Sequence, residues 1–186
     1  MVATVSVQEL NGITPTYTDL TSARYCTMDS VAPGTANSIP IPAVGVNYSF
    51  WKHHVLAISG SFTRVDNIRW YCDGAIGWNY GTSGALYIGY RASGDIGCPL
   101  TNYYQASGTT GTTGLLMTSG HQYYMQVSSG ITLATSSVVG NPFIIDSTAH
   151  EIAEKSKAVV TQVAVSTNAT QGTQTTESCT FRYDEI

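Results

Sequence analysis

The chain is short of charge: only 11% of its 186 residues are Asp, Glu, Lys or Arg, eight of them basic and twelve acidic. Basic residues scattered singly in a chain of net charge -4 cannot neutralise a row of phosphates, which argues against nucleic acid as a partner. No stretch approaches the ~20 consecutive apolar residues of a membrane-crossing helix, which argues against a membrane. "MVATVSVQEL" lacks the basic start and apolar centre of an export signal, so the expectation is synthesis in a cytoplasm without export. Lys, Glu, Leu and Arg, which sustain helices in water, are sparse. The cysteines at 26, 72, 98 and 179 lie too far apart for the short paired spacings of a zinc site.

What the chain has in quantity is Gly (18) and Tyr (12), with much Ser, Thr and Val, the composition of an all-β domain. "ATVSVQ" sets Ala3, Val5 and Val7 on one side of a half-buried strand. Residues 11–47, with "APGTANSIPIPAVG", suit neither helix nor central strand and read as a long loop or arm. "NIRWYC" alternates Ile68, Trp70 and Cys72 against Arg69 and Tyr71; Asp73-Gly74 follows as a hairpin turn; then Ile76, Trp78 and Tyr80, and after a second turn Leu86, Ile88 and Tyr90, fall in the same phase. That predicts an antiparallel meander whose large rings point into a core. Tyr71 and Tyr87, flanked by Arg69 and Arg91, fall on the opposite face and are the candidate partner-contact residues, Tyr and Arg being favoured interface anchors.

Residues 106–120, "ASGTTGTTGLLMTSG", read as a Gly/Thr loop. "STAHEIAEKSKA" is the one segment that suits a short helix, with Thr148 and Glu151 at capping-box spacing. "AVVTQVAVST" and "SCTFRYDEI" read as a closing hairpin. Nine or ten short strands separated by turns predict one antiparallel β-sandwich, jelly-roll-like, over 1–186, with a barrel as the alternative.

Reactive constellations are weak. "HEIAE" at 150–154 has Glu154 where a zinc-protease helix needs its second His. His53 and His54, adjacent on a strand, point to opposite faces, one packed and one exposed. No carboxylate pair faces across the aromatic segment as a glycosidase requires. Neither a phosphate-loop ending nor a nucleophile elbow is present. The reading is non-enzymatic, with no cofactor. Asp29 and Asp95 permit a calcium ligand without specifying one. For the cysteines two readings stand side by side: a Cys26–Cys98 bridge worth on the order of 4 kcal/mol, with Cys72 and Cys179 as buried thiols, or four reduced core thiols.

At "DNIRWYCDGAIGWNYGTSGALYIGYRASGD" and again at "VVTQVAVSTNATQGTQTTESCTFRYDEI" the chain resembles small β-rich virion proteins of tailed phages and related viruses. The resemblance implies a capsid decoration or cement protein, located in the virion, with the major capsid protein or other virion subunits as partners, homo-oligomerisation, and no catalytic residues. Affinity in such a protein comes from many copies sharing a lattice, so a modest contact per copy suffices; residues 11–47 and 106–120 are the expected contact segments. The alternative is a carbohydrate- or host-receptor-binding module that stacks ligands on Tyr71, Tyr87, Trp51 or Trp78.

Overall fold

A computed structural model describes residues 2–11, 16–90, 116–117 and 131–186. Among these, eleven strands form two antiparallel sheets that pack as a β-sandwich, and there is no α-helix. The large sheet runs β2 (Thr16–Asp19), β1 (Ala3–Asn11), β4 (Lys52–Gly60), β10 (Val159–Ser166), β6 (Ala85–Tyr90), β7 (Thr132–Leu133). Two short strands join it, β3 (Val46–Tyr48) on β10 and β9 (Glu154–Lys155) on β4. The small sheet is β11 (Thr180–Glu185), β5 (Val65–Tyr71), β8 (Phe143–Asp146).

The core between the sheets follows from alternation. Leu56 and Ile58 of β4, Leu86 and Ile88 of β6, and Val159 and Val163 of β10 meet Ile68 and Trp70 of β5, Cys72 just beyond it, and Ile145 of β8. Val5 and Val7 of β1 pack against this core, as expected. In β5 the period is interrupted at Asn67, whose φ of 50° is left-handed. The ladder to β11 shifts register across it, and the ladder to β8 shifts one step on, between Ile68 and Arg69, where the extra residue is Ile145 of β8. The bulge at Asn67 adds one residue, so Val65 and Ile68 both turn inward instead of falling on opposite faces. The Asn67 side chain steadies it by donating to Asp184 Oδ2 at 3.0 Å.

The other face of the large sheet is covered too. Leu10, Trp51, Val55, Ala158 and Val160 form a second buried cluster with Phe50 and Met117, and the Met117 N–H donates to Gln162 Oε1 at 2.9 Å. Strands β4 and β10 are therefore buried on both sides, which corrects the expectation for the two histidines: neither His53 nor His54 is exposed.

Three further expectations are corrected. The aromatic segment is no meander, because β5 and β6 belong to different sheets. Asp73 does make its turn, its Oδ1 accepting from Ala75 N at 2.9 Å with Gly74 at φ 90°. The chain then leaves the sheet, because residues 77–83 find partners in 166–177: Gly77 N donates to Glu177 Oε1, Thr170 N to Asn79 O and Ser166 N to Tyr80 O. Trp78 lies half-buried in that loop, edge-on to Tyr25 and Tyr80. The closing hairpin is absent for the same reason: β10 sits inside the large sheet and β11 crosses to β5.

The short helix does not form either. His150 exchanges backbone hydrogen bonds with Val65, and Glu154–Lys155 pairs with β4, so inter-strand bonds replace the helical ones that a two-turn segment could make only weakly. Of the expected arm, β2 folds back on β1 and β3 joins β10. The segment between them is held by Phe50 N to Cys26 O and Thr27 N to Asn37 O, each 2.8 Å.

Candidate functional site

Three groupings of polar side chains stand out among the described residues, two buried and one exposed. In the first, Glu9 follows Val5 and Val7 in phase on β1 and therefore faces inward, beyond the end of the apolar core. Lys52 Nζ lies 2.8 Å from Glu9 Oε1, and His54 Nε2 lies 3.0 Å from Oε2. Lys52 also donates to Ser30 O at 2.7 Å, and Asn11 Nδ2 bridges Glu9 and Asp29. Burial pushes the Glu9 carboxyl up, but His54 and Lys52 outweigh it and bring it down to about 2. The side chains of Glu9 and Lys52 have no exposure, and through Ser30 and Asp29 the cluster pins that segment onto the sheet.

The second grouping is what "HEIAE" becomes. His150 Nδ1 lies 2.8 Å from Glu154 Oε1, and Nε2 lies 3.3 Å from Asp146 Oδ2. Asp146 also accepts from the amides of Thr148 and Lys157. Burial raises the Asp146 carboxyl, yet His150 and these amides hold it below the usual carboxylate range. The neighbouring Asp146 carboxylate, opposed by burial and helped by Glu154, raises His150 above its ordinary value. Nδ1 makes a hydrogen bond with Glu154, while Nε2 faces Asp146 at ion-pair distance without a hydrogen bond of its own, an arrangement that ties β8, β9 and β5 together. Among the described residues no three His, Cys, Asp or Glu side chains are set to hold a metal ion; Asp29 is engaged by Asn11, and 95 lies outside the described residues.

The third is the outer face of the small sheet. With Ile68 and Trp70 inward, Arg69 and Tyr71 project outward, as expected. Register places Arg69 opposite Ile144 on β8 and opposite Arg182 on β11, and Tyr71 opposite Thr180. The row Arg182, Arg69, Ile144 thus crosses all three strands. Ile144 is 60% exposed and neighbouring Val139 65%. Arg69 reaches Asp184 loosely, at 3.7 Å. Two guanidinium groups directly opposed are unfavourable in isolation. Beside the row, Tyr71, Cys72, Asp73, Val138, Val139, Ser178 and Thr180 line a pocket of about 400 Å³.

Of the four expected contact residues, then, the structure brings together Arg69 and Tyr71. Tyr87 lies on β6 in the other sheet, half-buried against the second cluster, which corrects its assignment to one surface with Tyr71; 91 lies outside the described residues. Arg182 was missed because its strand was expected to pair with β10, and Ile144 because its strand was given no partner. The alternation of "TFRYDE" already turned Arg182 away from Phe181 and Tyr183. Cys26 is a free thiol, fully buried, its Sγ donating to Met28 O at 3.4 Å. The expected Cys26–Cys98 pairing falls in part on 98, which lies outside the described residues. Cys72 is buried as expected, but Cys179 is exposed. Of the expected contact segment at 106–120, only 116–117 is described.

No family model, curated protein or solved structure matches this chain.

Proposed function

We propose that this chain is a non-enzymatic structural protein of a virus particle, decorating or cementing the capsid surface, and that it docks through the outer face of its small sheet. The observation that supports this is the row Arg182, Arg69, Ile144 beside Tyr71 and Val139. Aromatic, guanidinium and aliphatic groups on one rigid face are the composition of an interface core. The opposed arginines favour a partner that brings carboxylates. The major capsid protein or a neighbouring virion subunit is that partner, and repetition over a lattice multiplies a modest contact.

One feature favours a second reading, carbohydrate or host-receptor binding: the Tyr71 ring edges a pocket rimmed by Asp73, Ser178 and Thr180, a hydrophobic platform beside hydroxyl and carboxylate groups. Co-sedimentation with capsid shells lacking this protein separates the two. Saturable binding that is lost in an Arg69→Ala/Tyr71→Ala variant is the expected result. No binding to shells, with retardation on a polysaccharide gel, overturns it in favour of the glycan reading.

A further inference from the structure

The paired residues of β5 and β11 end at Tyr71–Thr180, and carrying that register one step past both strands sets Cys72 opposite Cys179. Ile68, Trp70 and Cys72 face the core, as do Phe181 and Tyr183, so by the two-residue period both cysteine side chains leave the same face of the sheet. The backbone gives the type of pair. Cys72 N–H donates to Ser137 O at 3.0 Å and Trp70 C=O accepts from Ser137 Oγ at 2.6 Å, both on the side of β8. With their hydrogen-bonding groups turned away from β11, Trp70 and Cys72 occupy non-hydrogen-bonded positions toward it. At such positions opposed Cα atoms approach to about 4.5 Å and side chains come closest. That separation falls inside the roughly 4.4–6.8 Å window in which a disulfide closes.

We propose that Cys72 and Cys179 are a redox pair that closes into a cross-strand disulfide when the protein meets an oxidising thiol–disulfide couple. The two sulfurs divide the work. Cys179 is exposed, whereas Cys72 is 2% exposed and donates to Ala134 O at 3.2 Å. The Cys179 thiolate attacks one sulfur of a small disulfide such as oxidised glutathione, forming a mixed disulfide and releasing one thiolate. The Cys72 thiolate then attacks the Cys179 sulfur and releases the second. Two protein thiols are oxidised, one small disulfide is reduced to two thiols, and the protons pass to the thiolates released. Partial burial, then the nearness of Cys72, Glu177 and Asp73, push the Cys179 thiol up to about 12, so exchange proceeds through a small thiolate fraction and is slow at neutral pH.

The bridge would close a loop of roughly a hundred residues, near the upper end of what a crosslink contributes through the unfolded chain. This inference does not rest on the docking role. The full-length protein is held with oxidised glutathione at about pH 8.5, quenched with iodoacetamide and digested without reduction. The expected result is a peptide pair joined through Cys72 and Cys179, with Tm raised on the order of 10 °C, both reversed by dithiothreitol. Cys179→Ser, at an exposed position, should keep the reduced Tm and lose the linkage and the shift. Cys72 alkylated only after unfolding, a lasting glutathione adduct on Cys179, or either residue joined to Cys26 or Cys98 would overturn it.

Discussion

The Lys52 ammonium and the Glu9 carboxylate lie 2.8 Å apart with no exposure of either side chain. Removing one partner leaves the other charge buried, and such losses run to about 3–5 kcal/mol, whereas replacing both by apolar groups is often neutral. Lys52→Met should therefore be strongly destabilising in urea unfolding, and the Glu9→Leu/Lys52→Met double variant should recover most of that loss. A Lys52→Met protein as stable as the parent would show that the ammonium is not sealed from water.

Stability should peak in mildly acidic solution. Glu9 is depressed in the folded chain from 4.5 to about 2, so its contribution is complete above about pH 4.5 and is lost as pH falls through the folded value. Asp146, also depressed, acts in the same direction. His150 is raised above 6.5, so its contribution is complete below about pH 6.5 and is lost as pH rises through the folded value. Tm scanned against pH should show a maximum between these limits. His150→Gln should remove the alkaline fall and keep the acid one; a parent curve that climbs steadily to pH about 9 would contradict the His150 geometry.

Arg182→Glu should separate stability from docking. It sets a carboxylate opposite Arg69 where a guanidinium now stands, and an opposite-charge cross-strand pair contributes roughly 0.2–1 kcal/mol. Tm is expected to rise slightly while affinity for capsid shells falls by about tenfold or more. Unchanged shell binding would move the docking surface elsewhere.

Gly81 marks the loop that carries the chain between the sheets. At φ 81°, a Cβ there would come within 2.2 Å of Ser166 Oγ and 2.9 Å of Ala169 N. Gly81→Ala should cost about 2–3 kcal/mol. Gly34→Ala, at φ 61° with nothing within 4 Å, should cost only the roughly 1 kcal/mol of left-handed backbone. Equal losses in thermal unfolding would show that the contact with Ser166 is not tight.

The two-residue alternation was legible wherever a strand has one face on the core. Val5 and Val7, Ile68 and Trp70, and Leu86 and Ile88 all face as their spacing predicts. Pairing was not, because alternation carries no record of which strand lies alongside. Asp73-Gly74 turns the chain as its residue types require, yet whether a turn closes a hairpin is decided by distant partners, here the 166–177 segment. The outer face was half legible for the same reason: Arg69 and Tyr71 follow from the phase of β5, while Arg182 and Ile144 depend on pairing. The buried charges left a signal that went unread. Glu9 continues the inward phase of Val5 and Val7, and Lys52 sits in the apolar run "SFWKHHVLAIS"; a charge in phase with a core face requires a buried counter-charge.

Strand β10 lies between β4 and β6 in the large sheet, although both precede it in the chain, β4 by about a hundred residues. During synthesis those two strands therefore keep an apolar edge open until β10 is available, and β5 waits longer still for β11. Such order imposes slow, late closure and leaves the nascent chain open to mispairing. Products truncated before β10 should accumulate as insoluble material, and the intact protein should gain yield when translation is slowed or holding chaperones are abundant.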